Sequence, residues 1–260
     1  MHDFYAISSP APLDQAHGLR RMFAGRRGHV LACVANPHVA FAGLVLDRVA
    51  QALARSGREV LVADAGPGAP APHELARLEL AAGIERVAPR VSYLPARGLP
   101  LAFVDTRGSA AGFVDALRDA APQADVLLVH ADAAELARVL TRHAARPLLL
   151  GADHPESVKH AYAGAKLLAQ RIGLATFDLL LVAAAHSPRA AAIAASLAGC
   201  LDNFLQALLC GWVQLDPADD APDAALARLL DAQLASGGQA PSHGRAASAR
   251  LARTSPALHP

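Results

Sequence analysis

Apolar and polar positions follow two periods along the chain, and both appear between His29 and Asp64. An apolar run at Val30–Ala35 is followed by a short loop. Leu46, Val49, Ala50 and Leu53 then recur at i, i+3, i+4 and i+7, the spacing of an amphipathic helix. Gly57 stands where a left-handed residue closes a helix. A second apolar run, Val60–Ala63, ends in Asp64. Strand, loop, helix and strand in that order seed a parallel sheet.

The pattern continues downstream. Residues 65–72 form a Gly/Pro-rich loop, and His73–Ala82 reads as a helix. Val91–Leu94 and Leu101–Val104 read as short strands, and Ala110–Ala121 as a helix with Phe113 and Leu117 inward. Asp125–Val129 has the unbroken apolar run of a buried parallel strand. Asp132 is placed to N-cap a helix reaching His143, Pro147–Leu150 reads as a strand, and Ser157 is placed to cap a helix running to about Arg171. Phe177–Ala184 is a strand pattern. Ser187-Pro188 has the order of an N-cap followed by proline at the first helical position, and the helix there runs through Ala190–Leu209 or breaks near Gly199. Gly211–Leu215 is the last strand. The fold class is α/β, a doubly wound, mostly parallel sheet flanked by helices.

Three stretches follow: a lead and linker (1–28), the α/β domain (29–215) and a terminal stretch (216–260). In the lead, Leu13, Ala16, Leu19 and Phe23 outline a short amphipathic helix, with Asp14 near its start where the helix dipole favours negative charge. The terminal stretch opens with Asp216, Asp219, Asp220 and Asp223, continues into a small amphipathic helix at Ala224–Ala235, and ends in a Gly/Ser/Ala/Pro-rich tail of disordered composition.

Composition narrows the function. With 260 residues, 53% of them apolar, the chain can bury one substantial core. A net charge of +1 gives no reason to expect nucleic acid as a partner. Cys33, Cys200 and Cys210 lack metal-site spacing and read as reduced core thiols. No signal-peptide pattern or bilayer-length apolar run is present. The expectation is a cytoplasmic protein without direct membrane association.

Two local motifs carry a resemblance. Asp14-Gln15-Ala16-His17-Gly18-Leu19-Arg20 resembles the DQAxGLR motif of the FlhG/FleN flagellar-number regulators, a group within the MinD/ParA-type ATPases. Pro155, Ser157, Val158, Ala161, Tyr162 and Lys166 match that group's TPEPxSVxDAYAxIK stretch. The resemblance spans roughly residues 13–215 in element order. It implies a MinD/ParA-like fold, and an N-terminal segment that docks on an FlhF-like GTPase of the signal-recognition-particle type and stimulates its hydrolysis. Within that segment Gln15 carries an amide able to orient a water, and Arg20 could pair with phosphate or an acidic group. Asp14, Ala16, Gly18 and Leu19 would set helix start, close approach and an apolar anchor. The body would dock flagellar switch components or a flagellar transcriptional activator.

The departures bear on the nucleotide. The group's phosphate loop, GKGGVGKT, aligns without gaps onto Asn36–Gly43. Pro37 then stands at the signature lysine, Ala42 at the phosphate-binding lysine and Gly43 at the Mg²⁺-ligating threonine. The group's glycines let backbone N–H groups face phosphate, whereas Val39, Ala40 and Phe41 crowd the loop with side chains. The DAD motif becomes Asp64-Ala65-Gly66, the aspartate after the central strand becomes His130, and the adenine-reading asparagine becomes Ala183. The expectation is a pseudo-ATPase without cofactor or metal and, lacking the ATP-sandwiched dimer of the group, a monomer. Alternatives are an ATP-binding ATPase with a non-standard loop, or a docking module without effect on GTPase rate. His38 with His130, and Asp64 with Asp132, are weaker candidates for metal or acid–base chemistry; leftover polar residues at strand ends are the simpler reading.

Overall fold

The computed structural model describes residues 28–237. Eight strands form one sheet in the order β3-β4-β2-β5-β1-β6-β7-β8. They are β1 (His29–Val34), β2 (Val60–Asp64), β3 (Glu85–Ala88), β4 (Val91–Pro95), β5 (Val126–Ala131), β6 (Leu148–Ala152), β7 (Thr176–Val182) and β8 (Leu208–Leu215). Only β3 runs antiparallel to its neighbour. The doubly wound α/β expectation holds.

Helices α1 (Ala42–Arg55) and α6 (Ala224–Gly237) cover one face. Helices α2 (Gly112–Ala120), α3 (Ala133–Val139), α4 (Pro155–Ile172) and α5 (Ala190–Leu205) cover the other. Strands β1, β2, β5 and β6 are almost wholly buried, because apolar side chains leave both faces of each and each face has a helix layer to receive them. The predicted stripe of α1 (Leu46, Val49, Ala50, Leu53) is buried as a unit. Gly57 takes φ +88 just past the helix end.

Several expectations shift. The predicted helix at 73–82 is two 3-10 turns, Glu74–Arg77 and Leu80–Gly83; a Cβ on Gly83 would stand 2.4 Å from the Ala76 Cβ. The predicted strand at 101–104 is a 3-10 turn, Leu99–Phe103, which follows Gly98 at φ +78 and has Pro100 in its first turn. Strand β3 went unpredicted: it has four residues and carries Glu85 and Arg86. Ser157 does not cap α4. His154 does, its Nδ1 accepting from the Glu156 N–H at 3.3 Å, while Ser157 is buried one turn in. Helix α5 starts at Ala190, passes Gly199 unbroken and ends at Gln206 in left-handed conformation. Among the thiols Cys33 is buried, but Cys210 is exposed on β8.

The largest change concerns the boundary drawn at 215. Helix α6 belongs to the core: Leu226, Leu230 and Leu234 are buried against the α1 layer. A polar latch adds to this. Gln233 Nε2 donates to the Arg146 carbonyl at 3.0 Å, and Arg146 Nε meets the fully buried Asp178 at 2.7 Å. Leu230→Ala is expected to cost about 2–5 kcal/mol of unfolding free energy in a urea titration, as for a core leucine. A loss under about 0.5 kcal/mol would return the helix to a dispensable appendage.

Candidate functional site

In an open, doubly wound sheet, ligands sit where neighbouring strands send their connections to opposite faces. Strands β1 and β5 are adjacent; β1 leads into α1 on one face, and β5 leads into α3 on the other. The crevice at their C-terminal ends is therefore the candidate site. The loop 35–41 follows β1 there, and His130 to Asp132 close β5.

The loop is held by Asn36. This residue leaves an apolar strand, so its amide is buried and must find partners within the protein. Its Nδ2 lies 2.8 Å from the Leu150 carbonyl, 2.9 Å from the Ser157 carbonyl and 3.0 Å from the Ser157 hydroxyl. Its Oδ1 accepts the His38 N–H at 3.0 Å. The Ser157 hydroxyl also accepts the Ala152 N–H at 2.8 Å. One asparagine thus ties the β1 loop to β6 and α4. Ser157, matched in the sequence as part of a motif, is the other half of this tie.

The loop ends at Phe41, which takes φ +58 and ψ +38 at the start of α1. This left-handed position costs a side-chain-bearing residue about 1–2 kcal/mol. In the gap-free alignment it falls on a glycine. The ring is 74% exposed, so burial does not offset that cost. Pro37 and His38 are also exposed. Ala42 and Gly43 are the first two residues of α1, and a Cβ on Gly43 would meet nothing within 4 Å.

The second centre is Asp64, at the end of β2 and directly across from His130 on β5. His130 Nδ1 and Asp64 Oδ1 are 2.7 Å apart. Asp64 also accepts the Gly66 N–H at 3.0 Å and the Tyr93 hydroxyl at 3.2 Å. Burial by itself raises the Asp64 pKa; the His130 bond and charge, with the Gly66 and Tyr93 donors, outweigh burial and hold it below the ordinary carboxylate value. Burial and the Asp64 charge push the Tyr93 hydroxyl up, which keeps it a donor. The same two causes raise the buried Cys33 thiol well beyond the reactive range. A side chain at residue 66 has no room, since its Cβ would sit 2.5 Å from His130 Cε1. Gly66 and His130 are thus matched: the imidazole occupies the space an acid at 66 would need. His130 Nε2 is buried without a hydrogen-bond partner among the described residues.

The structure does not join the remaining candidates into one site. His38 stacks beside His154 at 6.4 Å and meets His160 edge-on at 5.9 Å, while His130 turns to Asp64. Asp132 caps α3, accepting the Glu135 N–H at 2.8 Å. Among the described residues no cluster suited to a metal ion occurs. Ala183 is buried past the end of β7, donating to the Leu215 carbonyl. Asp14, Gln15, Ala16, Gly18, Leu19 and Arg20 lie outside the described residues. Sequence reasoning passed over Tyr93 and the Asn36–Ser157 tie. An asparagine directly after an apolar strand was the available signal for the tie; nothing local marks Tyr93 as a partner of Asp64.

Two measurements check this geometry. Because the folded-state pKa of Asp64 is depressed, its stabilisation is present above the unfolded value of about 3.9 and is lost as pH falls through the folded value. Asp64→Asn is expected to cost about 1–3 kcal/mol at neutral pH, with the gap to the parent narrowing below about pH 4; a gap independent of pH would refute the pairing. At Phe41, glycine should match or exceed the parent's stability, because relief of strain outweighs the added chain entropy. Isoleucine there should be less stable than the parent by about 1 kcal/mol. A glycine variant weaker than the isoleucine variant would show that the ring contributes packing instead.

No protein-family model matches the sequence, and no curated protein matches it. Among solved structures, cobyrinic acid a,c-diamide synthase from Mycobacterium smegmatis, with a bound ATP analog and magnesium, superposes with a TM-score of 0.55 at 18% identity, over 80% of this chain and 94% of that one. The MinD cell division protein of Aquifex aeolicus gives 0.52 at 12% identity, over 79% and 97%. A ParA family ATPase from Chlorobium tepidum TLS gives 0.50 at 15% identity, over 80% and 98%. Likeness at these identities is one of architecture: the chain has the fold of the ParA/MinD-type P-loop ATPases.

Proposed function

We propose that the α/β body is a nucleotide-free scaffold, a pseudo-ATPase, and that the chain regulates flagellar number or placement by stimulating an FlhF-like GTPase through Asp14–Arg20. The Asp64–His130 pair is the observation that carries the first half. Two carboxylates facing each other at the ends of β2 and β5 would repel unless a proton or a cation lay between them. Histidine at 130 donates to Asp64 directly, so the pair is satisfied within the protein. The loop beside it has no lysine, and Asn36 engages α4 and β6. Of the loop's exposed residues Pro37, His38, Ala40 and Phe41, only His38 carries a side-chain donor, and its ring lies against His154 and His160.

The second half rests on the sequence motif. Phosphoryl transfer needs an oriented water and neutralised charge more than covalent chemistry. Gln15 would supply the amide and Arg20 the cation, on a short segment ahead of the folded body, which in turn would dock flagellar switch components or a transcriptional activator. The fold likeness to a synthase holding an ATP analog favours one other reading, that the β1 loop retains phosphate binding through its backbone.

Calorimetric titration with Mg²⁺-ATP separates the two, with no binding expected at millimolar nucleotide; micromolar affinity would establish the ATPase reading. GTP hydrolysis by the FlhF-like partner should rise when the full chain is added and return to its basal rate with Gln15→Ala. Binding of the partner at an unchanged rate would make the chain a docking module only.

A further inference from the structure

From Ala190 to Leu215 the chain carries one charged residue, Asp202, although charged residues make up 18% of the sequence. This stretch folds as α5 and β8, and β8 is an edge of the sheet. Its apolar side chains are open to solvent: Phe204 is 74% exposed, Leu208 59% and Trp212 41%. Cys210 is exposed beside them, and α5 turns Ala191, Ala192 and Ala195 outward. The opposite edge is built differently. Strand β3 has four residues, carries Glu85 and Arg86, and pairs with irregular register. Short, charged and irregular edges are how sheets prevent further pairing. Strand β8 has eight residues and no charge. Its one irregularity falls at Cys210, leaving Gly211 to Leu215 in regular register with β7.

We propose that this edge is an interface between two copies of this chain, with β8 pairing antiparallel to β8 of a second copy about a two-fold axis. A strand edge is self-complementary under such an axis. The missing charge on β8 points to a copy: strand self-pairing sets no like charges opposite one another, and the strand offers nothing to steer or select a charged partner. Phe204 and Trp212 supply aromatic side chains of the kind that dominate interface energetics. One strand falls short of the ~800 Å² per partner of a stable interface; the outer side of α5, uncharged apart from the exposed Asp202, lies next to it and extends the contact. This pairing is separate from the crevice at β1, three places away in the sheet, and it replaces the monomer expected from the lost nucleotide site. It does not depend on the proposed GTPase activation.

The chain's single tryptophan lies on this edge and reports on it. Sedimentation velocity of the full chain should show a dimer that dissociates on dilution, with a parallel red shift of Trp212 emission. Phe204→Lys with Leu208→Lys changes only exposed positions, so the fold should persist by circular dichroism while self-association weakens at least about tenfold. Phe41→Asp, at the β1 crevice, should leave association unchanged. A monomer at every concentration overturns the proposal. So does a dimer that Phe41→Asp breaks and the edge substitutions do not. Trp212 emission that is shielded yet independent of concentration would also overturn it, since a segment of the same chain would then cover the edge.

Discussion

A carboxylate buried at the end of a parallel strand has to be neutralised, and the centre of this protein is arranged around how Asp64 achieves that. The sheet order sets β5 beside β2, so residue 130 faces Asp64 whatever its identity. With histidine there, the demand is met by one bond of 2.7 Å and two supporting donors. The imidazole then claims the volume beside residue 66, which has to be glycine. The residue at one strand end thereby dictates its neighbour's size, because the packed interior has no spare room.

The same economy governs the β1 loop. A phosphate-binding loop leaves its backbone N–H groups free for a ligand. Here the His38 and Val39 N–H groups turn back onto Asn36, whose side chain ties the loop to the Leu150 and Ser157 carbonyls, and the turn closes through Phe41 in a conformation better suited to glycine. The left-handed turn at Phe41 is made by a side-chain-bearing residue, so the loop's shape does not require the chemistry of a glycine. Strain at an exposed aromatic residue marks the place where the two come apart.

Outside the crevice, stability comes from two helix layers clamping a buried sheet. Helix α6 closes the layer over α1 with three leucines, and the Arg146–Asp178 pair with Gln233 gives that docking a polar register. A buried ion pair is weak as a source of net stability, but leaving either partner alone is costly, so α6 is discouraged from settling elsewhere. The two edges of the sheet complete the picture: one is short and charged, the other long and uncharged.

The sequence by itself determined the succession of buried strands and amphipathic helices, because periods of 2 and 3.6 and unbroken apolar runs are properties of neighbouring residues. It set the doubly wound class, the buried stripe of α1 and the cap at Asp132 on the same basis. Where local signals were mixed, tertiary contact decided. Gly83 pressed against Ala76 accompanies turns where a helix was expected, and Ser157 serves Asn36 where it was expected to cap α4. The terminal helix looked detachable because its three leucines have no partner within their own segment; only the folded sheet supplies one. The pairing of Asp64 with His130 and Tyr93 joins residues 66 and 29 positions apart. No local pattern encodes such a contact, because strand order, not chain order, sets which side chains meet.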